Sequence, residues 1–241
     1  MGGFLAALPM YDWPELRAET DAQWAAIRDR LRGAGIAAPE RLARENTASG
    51  GLDLAALWRH PRLLLGQACW GPMEAGLSTQ VQVVGQPDYS DCEGGQGELY
   101  SSAVVMRRPQ TRVQPPPDGR AVLQLGLLRG KRFAFNSTDS LSGFLAPGRD
   151  LEALGESLAV FSECIETGGH RASLRAVAEG RADVAAIDCR SWSLFNRLEP
   201  DVSARLQVAG WTARRRGLPF ITARATPPRI VAALRAALAA A

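Results

Sequence analysis

The densest run of polar side chains, Asn-Ser-Thr-Asp-Ser-Leu-Ser-Gly, occupies residues 136–143 and follows a short apolar strand. Hydroxyl groups at the start of a helix, with its first backbone N–H groups and the positive end of its dipole, form a binding site for phosphate, phosphonate, sulfate or carboxylate. Serine and aspartate also cap helices without binding a ligand. The residue types therefore leave two interpretations of Ser140 and Ser142, an anion site and a helix cap.

Two further chemical groups stand at the ends of predicted strands. His170 opens a predicted helix and can donate a hydrogen bond to an anion, although an exposed or capping histidine fits the same pattern. Asp188 ends the apolar strand 182–187, where a carboxylate either faces a ligand cleft or caps the next helix. Both are candidate ligand contacts that also have a purely structural explanation.

Strands and short helices alternate along the chain, which predicts parallel sheets in an α/β fold. The first strand, 4–8, is followed by a helix that Pro14 opens and Gly33 closes. Tyr11 lies between the two, at the carboxyl end of the strand, where open α/β sheets bind their ligands.

The segment 107–119, which contains Pro109 and Pro115-Pro116-Pro117, cannot form regular structure and marks a boundary between two lobes. A second passage between the lobes is expected near residues 211–219. We therefore predict one lobe from residues 1–106 plus 213–241 and another from residues 107–212.

Composition excludes several classes of protein. The 241 residues carry 28 Lys+Arg and 25 Asp+Glu, and Lys131 is the single lysine, so the positive charge is arginine scattered among acids and predicts no nucleic-acid binding. No apolar run is long enough to span a membrane, and the first ten residues lack the pattern of a signal peptide. We expect a soluble chain. Either the protein is cytoplasmic, or an export signal was removed before this sequence was recorded.

The four cysteines have no metal-like spacing with the two histidines, so neither a metal nor a cofactor is expected. In an exported form, Cys69 and Cys92 are the predicted disulfide pair, because Cys69 ends a strand and Cys92 lies in the long polar loop 86–98. Cys164 and Cys189, near strand ends in the second lobe, are expected to be buried thiols.

Three segments together resemble a known family. Ser-Leu-Ser-Gly at 140–143, His-Arg-Ala-Ser at 170–173 and the run at 180–188 look like the phosphate, phosphite and phosphonate substrate-binding proteins of ABC transporters. These are type 2 periplasmic binding proteins. Residues 8–11 and 218–220 also fit, so the resemblance covers nearly the whole chain. It implies two α/β lobes, joined by two crossover segments, that close on a ligand between them.

The resemblance implies a periplasmic solute-binding protein that captures a phosphate, phosphite or phosphonate oxyanion for uptake and catalyses no reaction. It further implies a monomer whose partners are this small oxyanion and an ABC-transporter permease. In the family the two serines hold the ligand's oxygens, the histidine adds a donor, an aromatic residue after the first strand packs on the ligand, and an acid receives an ammonium group. The implied ligand contacts are Tyr11, Trp70, Tyr100, Ser140, Leu141, Ser142, Gly143, His170 and Asp188.

Two other functions remain open. One of the two serines with His170 and Asp188 can be arranged as a nucleophilic triad, although the chain has no G-x-S-x-G elbow and anion capture explains the same residues. A cytoplasmic ligand-sensing or precursor-binding relative on the same fold is the other alternative, which the missing export signal favours.

Overall fold

The computed structural model describes residues 3–45, 52–108 and 111–240. Their strands, in chain order, are β1 (Leu5–Ala6), β2 (Leu63–Gln67), β3 (Val81–Gly85), β4 (Gly95–Gln96), β5 (Leu99–Tyr100), β6 (Ser102–Arg107), β7 (Arg132–Phe135), β8 (Glu163–Glu166), β9 (Val184–Asp188), β10 (Leu206–Trp211), β11 (Arg215–Arg216) and β12 (Phe220–Ala223).

The α helices are α1 (Arg17–Gly33), α2 (Leu54–Trp58), α3 (Trp70–Glu74), α4 (Leu125–Leu128), α5 (Ala146–Glu152), α6 (His170–Ala178), α7 (Cys189–Leu198), α8 (Pro200–Ser203) and α9 (Pro228–Ala239). Three short 3-10 turns add to them, at Pro14–Leu16, Leu77–Thr79 and Leu158–Val160. Within the described part of the chain, no helix combines the length and the apolar character needed to cross a membrane.

The chain forms two compact units, residues 1–87 with 218–241 and residues 88–217. Residues 88–106 and 213–217 therefore belong with the second unit, whereas the sequence placed them in the first lobe. The reason is β6, which pairs with β10 on one side and β9 on the other. The proline-rich segment does not separate the units, because Val113 donates its N–H to Val208 and accepts from the Trp211 indole.

The first unit contains a four-stranded sheet in the order β1-β2-β12-β3. Its helix α1 follows the turn that Pro14 opens, as the sequence predicted, because the proline ring is already set at a helical φ. Trp24, Ile27 and Leu31 recur three and four residues apart and form the apolar face that packs with α9 on the sheet.

The second unit contains a five-stranded sheet in the order β10-β6-β9-β7-β8. Strand β7 lies between β9 and β8 and is parallel to both, whereas β6 is antiparallel to β9 and to β10. A core of aromatic and aliphatic side chains covers the sheet, with Phe133 and Phe161 stacked at 4.6 Å between ring centroids. The predicted parallel arrangement therefore holds for β7, β8 and β9, and it is interrupted by β6, which runs in the opposite direction between β9 and β10.

The cysteines differ from expectation in two respects. Cys92 lies next to Cys189 in the second unit, a neighbour that the sequence did not predict. Cys69 precedes α3 in the first unit, and its pairing with Cys92 stays a prediction. Cys164 is exposed rather than buried, because β8 is the edge strand of its sheet. Cys189 is buried, as predicted.

Candidate anion-binding site

Three helical segments begin at one edge of the second sheet. Because β7, β8 and β9 are parallel neighbours, their carboxyl ends lie at the same edge. A loop leads from β7 to a π-helical turn at Leu141–Leu145, which continues directly into α5. Helix α6 begins at His170, and α7 begins at the residue after β9. The positive ends of several helix dipoles therefore lie at the edge that carries the predicted site.

The two serines of the loop have different roles in the structure. Ser140 is the N-cap of the helical turn, and its Oγ accepts a hydrogen bond of 3.1 Å from the Gly143 N–H. Ser142 Oγ lies 2.9 Å from Nε2 of His170 and 3.5 Å from Oγ of Ser140. Both serines are buried. The capping interpretation therefore describes Ser140, while Ser142 faces the histidine.

His170 also contacts a carboxylate. Its Nε2 lies 3.3 Å from Oδ2 of Asp188, whose Oδ1 accepts the Ser191 N–H at 2.9 Å and so caps α7. A carboxylate can only accept, so the contact with Asp188 favours the tautomer that carries its proton on Nε2. In that tautomer Ser142 Oγ accepts from the same N–H, and its own hydroxyl proton is directed either to Ser140 Oγ or to an acceptor outside this cluster. An oxyanion is such an acceptor.

Burial lowers the pKa of His170 below its ordinary value, and the nearby Asp188 carboxylate opposes this shift only in part. The imidazole is therefore neutral at neutral pH in the protein without ligand. Its other nitrogen, Nδ1, is buried and has no hydrogen-bond partner. The ring can gain a proton, and with it a positive charge, when an anion arrives.

A nucleophilic triad requires a different arrangement. In a triad the histidine takes the serine proton at one ring nitrogen, and the aspartate accepts from the other nitrogen. Here Ser142 and Asp188 both contact Nε2. The geometry therefore fits donation to an anion better than activation of a nucleophile.

Comparison with known proteins decides the family. The family model described as "ABC transporter, phosphonate, periplasmic substrate-binding protein" matches residues 73–241. This chain belongs to that family. The resemblance drawn from the serine loop and the histidine motif is thereby confirmed. No curated protein matches the chain by sequence.

Solved structures confirm the α/β fold of two-lobed periplasmic binding proteins. PhnD1 from Prochlorococcus marinus (MIT 9301), solved with methylphosphonate, has a TM-score of 0.67 at 17% identity, over 98% of this chain and 82% of that one. The binding protein component of an ABC phosphonate transporter from Pseudomonas aeruginosa (PA3383) has a TM-score of 0.64 at 14% identity, over 98% and 74%. XAC2383 from Xanthomonas citri, solved with ATP, has a TM-score of 0.64 at 17% identity, over 99% and 82%.

Gly143 of this phosphonate-family binding protein permits a close approach in the loop. A Cβ atom at position 143 would lie 1.9 Å from Oδ1 of Asn136 and 3.3 Å from Cε1 of His170. Any larger residue therefore displaces Asn136 or the histidine. Leu141, between the two serines, is buried.

The three aromatic contacts implied by the family lie on other elements than the serine loop, α6 and β9. Tyr100 is in β5 and packs on Tyr89, with 5.2 Å between the ring centroids. Tyr11 follows β1, and Trp70 begins α3, so both belong to the first compact unit. The contacts that the structure brings together within the second unit are Ser140, Leu141, Ser142, Gly143, His170 and Asp188.

Two polar residues at this edge were not among the predicted contacts. Ser102 in β6 is paired directly with Asp188, is buried, and has an Oγ without a hydrogen-bond partner. Thr167 Oγ1 bonds the Phe135 carbonyl at 2.9 Å and Ser173 Oγ at 2.7 Å, which ties the end of β7 to α6. Asn136, directly after β7, belongs to the polar run and could have been singled out from the sequence. The pairing of Ser102 with Asp188 depends on a strand register that the local sequence does not show.

Among the described residues no group of three or more His, Cys, Asp and Glu side chains is placed to hold a metal ion.

Proposed function

We propose that this binding protein captures a small phosphonate- or phosphate-type oxyanion at the Ser142–His170 pair for uptake through an ABC-transporter permease. The observation that carries the proposal is the position of Ser142 Oγ and Asp188 Oδ2 at the same ring nitrogen of His170, at 2.9 and 3.3 Å. With its proton on that nitrogen, His170 donates to both groups, and the Ser142 hydroxyl proton can then be given to an anionic oxygen. Family membership supports transport as the purpose of binding.

The charge of the cluster also suits an oxyanion. Asp188 already accepts the Ser191 N–H on one oxygen and lies next to His170 on the other, so its negative charge is partly compensated within the protein. Donors from Ser142 and from the first turns of the helices remain for the several oxygens of a tetrahedral anion, and His170 gains a second N–H when the ring is protonated. Hydrogen bonds to ionised acceptors are the stronger ones. Methylphosphonate, the compound solved with PhnD1, is a ligand of this chemistry.

The rest of the ligand is assigned to the aromatic residues. We infer that Tyr11, Trp70 and Tyr100 contact the organic part of the anion, and that Asp188 receives an ammonium group where the ligand has one. The proposal includes no catalytic step, and it places the protein in the periplasm as a monomer. Membership of the phosphonate-binding family supports these assignments.

The test is a thermal-shift panel with phosphate, phosphite, methylphosphonate, aminoethylphosphonate and sulfate. A ligand present at about 100 times its Kd stabilises the folded protein by about 2.7 kcal/mol, which raises Tm by about 5–10 °C in a chain of this size. We expect a shift of this size with at least one phosphorus oxyanion and none with sulfate. A panel in which no phosphorus oxyanion raises Tm refutes the proposed ligand class.

The proposal also predicts uptake of a proton by His170 on binding. An anion within hydrogen-bond distance favours the charged imidazole and raises a pKa that burial had lowered. Between about pH 5 and 7 the affinity should therefore increase as the pH falls. Calorimetry in buffers of different ionisation enthalpy counts the protons taken up by the wild type and by His170→Gln.

The difference between the two proteins isolates the histidine, because any titration of the ligand itself is common to both. We expect the wild type to take up more protons than His170→Gln, by a difference of up to about one. Equal uptake in the two proteins contradicts the protonation of His170 on binding.

A further inference from the structure

Two cysteines lie side by side next to the candidate site. Cys92 is in the loop before β4, and Cys189 is the first residue of α7, directly after Asp188. Their thiols influence each other's ionisation, and the Cys92 thiol also donates to Oδ1 of Asp91 at 3.4 Å. Both residues are almost fully buried, with 6% and 1% of their surface exposed. Neither cysteine was predicted to pair with the other.

Further contacts hold the same two segments together. Arg190 donates to the Asp88 carbonyl and, at 3.0 Å, to Oδ1 of Asp91. Its guanidinium also lies over the ring of Tyr89, 4.7 Å from the centroid. The neighbours of both cysteines are thus fixed independently of the thiols. The backbone around Cys92 is stiffened as well, because its N–H bonds the Tyr89 carbonyl at 3.0 Å.

We propose that Cys92 and Cys189 form a structural disulfide bond when the protein folds in an oxidising compartment. The bond would fasten the loop at residues 88–96 to the N-terminus of α7. All four cysteines are reduced in this structure. The proposal rests on the contact between the thiols and on the periplasmic family, and it does not depend on which ligand the protein binds.

The reaction is thiol–disulfide exchange with a disulfide-bearing oxidant. The Cys92 thiolate attacks one sulfur of that oxidant, which forms a mixed disulfide and releases the first oxidant thiolate. Cys189 then loses its proton to solvent and attacks the Cys92 sulfur, which releases the second oxidant thiolate. Two protein thiols are oxidised to one S–S bond, and one oxidant disulfide is reduced to two thiols.

The environment assigns the first step to Cys92. The hydrogen bond from Cys189, together with Arg190, lowers the pKa of Cys92. The same hydrogen bond and burial raise the pKa of Cys189. Since the thiolate is the attacking species, Cys92 is the better nucleophile. Both thiols are buried in the folded chain, so the exchange takes place late in folding, once Cys189 and Arg190 lie beside Cys92 but before the second unit closes over them.

The bond would close a ring of about 100 residues that contains β6, β7, β8 and β9, four strands of the five-stranded sheet. Constraining a loop of this length removes much conformational freedom from the unfolded chain. Reduction is therefore expected to lower Tm by about 5–15 °C. Cys69 and Cys164 offer a matched control pair, because they lie outside this contact.

The experiment compares the wild type with Cys92→Ala/Cys189→Ala and with Cys69→Ala/Cys164→Ala. Each protein is folded in a mixture of reduced and oxidised glutathione and then unfolded in the presence of an alkylating agent. Its mass is measured by mass spectrometry before and after reduction. Before reduction, we expect two alkylated thiols in the wild type and none in Cys69→Ala/Cys164→Ala. After proteolytic digestion, both proteins should yield a peptide in which Cys92 is linked to Cys189. Reduction should then lower Tm in both of these proteins.

Two results overturn the proposal. One is alkylation of all four cysteines in unreduced wild type, and the other is a linked peptide that contains Cys69 or Cys164. If Cys92→Ala/Cys189→Ala does not fold, the wild type and the control variant still decide the question, because their numbers of alkylated thiols and their linked peptides are measured without that variant. The ligand panel is independent of this result, so failure of one proposal leaves the other to be judged separately.

Discussion

Asp150→Ala is expected to lower the free energy of unfolding by about 3 kcal/mol. The carboxylate is buried on α5, with 5% of its residue surface exposed. Its Oδ2 accepts the Ala213 N–H at 2.8 Å, and Arg215 binds both oxygens, at 2.6 and 3.1 Å. Alanine would leave this N–H and the guanidinium without their acceptor.

The size of the expected stability loss depends on how much of the Arg215 guanidinium remains in contact with solvent. Breaking a fully buried ion pair by removing one partner costs about 3–5 kcal/mol, because a charge is left without compensation. The Arg215 side chain is 21% exposed, so solvent stabilises part of the charge and the cost falls at the lower end of that range. Arg215→Ala is expected to cost at least as much, because it strands the more deeply buried carboxylate.

Urea unfolding of the protein without ligand measures the effect. Glu152→Ala is the matched control, since Glu152 is an exposed acid at the end of the same helix, and its loss should change stability by less than about 0.5 kcal/mol. The double variant Asp150→Ala/Arg215→Ala should lose less than the sum of the single variants, because the two residues are coupled. A loss below about 1 kcal/mol for Asp150→Ala would show that the pair contributes no more than a surface salt bridge.

The pair also bears on the candidate site through α5. This helix is the direct continuation of the turn that carries Ser142, and residues 213–216 are held against it by Asp150. Local propensity does not indicate such a contact, because Asp150 and Arg215 are far apart in sequence and each has the composition of a surface residue. It depends on the packing of the whole unit.

The site itself was largely predictable from sequence for a physical reason. Parallel strands that are each followed by a helix bring their carboxyl ends to one edge, so Ser142, His170 and Asp188 can be placed together once β7, β8 and β9 are recognised. The apolar runs of these three strands can be recognised from neighbouring residues in the sequence alone. The helix that begins at Pro14 was predictable for the same reason, since proline and the spacing of apolar residues are read within a single turn.

Long-range pairing was not predictable in this way. Strand β6 lies between β10 and β9 in an antiparallel direction, which moves the division between the units and sets Ser102 opposite Asp188. The contact between Cys92 and Cys189 likewise joins the loop before β4 to the start of α7, two segments that are far apart in the sequence. None of these features has a signature in the neighbouring residues, because each is fixed by register and packing.

Ser142→Ala is expected to weaken binding of the best oxyanion of the panel by about ten- to hundred-fold. The variant removes one hydroxyl donor to an ionised acceptor, and such hydrogen bonds contribute about 1.5–3 kcal/mol. Without ligand, Ser142 Oγ contacts Nε2 of His170, which keeps Asp188 as its partner, and the Ser140 Oγ at 3.5 Å. The free energy of unfolding should therefore fall by no more than about 1 kcal/mol.

Ser140→Ala is the comparison that separates ligand binding from capping. Its Oγ accepts the Gly143 N–H, so the variant loses a helix cap and should lose about 1 kcal/mol of stability without ligand. Calorimetric titration of the wild type and both variants, with urea unfolding of each, gives the two quantities side by side. We expect the larger loss of affinity in Ser142→Ala and the larger loss of stability in Ser140→Ala. If Ser142→Ala binds as tightly as the wild type an oxyanion that the panel has shown to bind, the hydroxyl donates to no ligand, and the anion must be held by groups outside this loop.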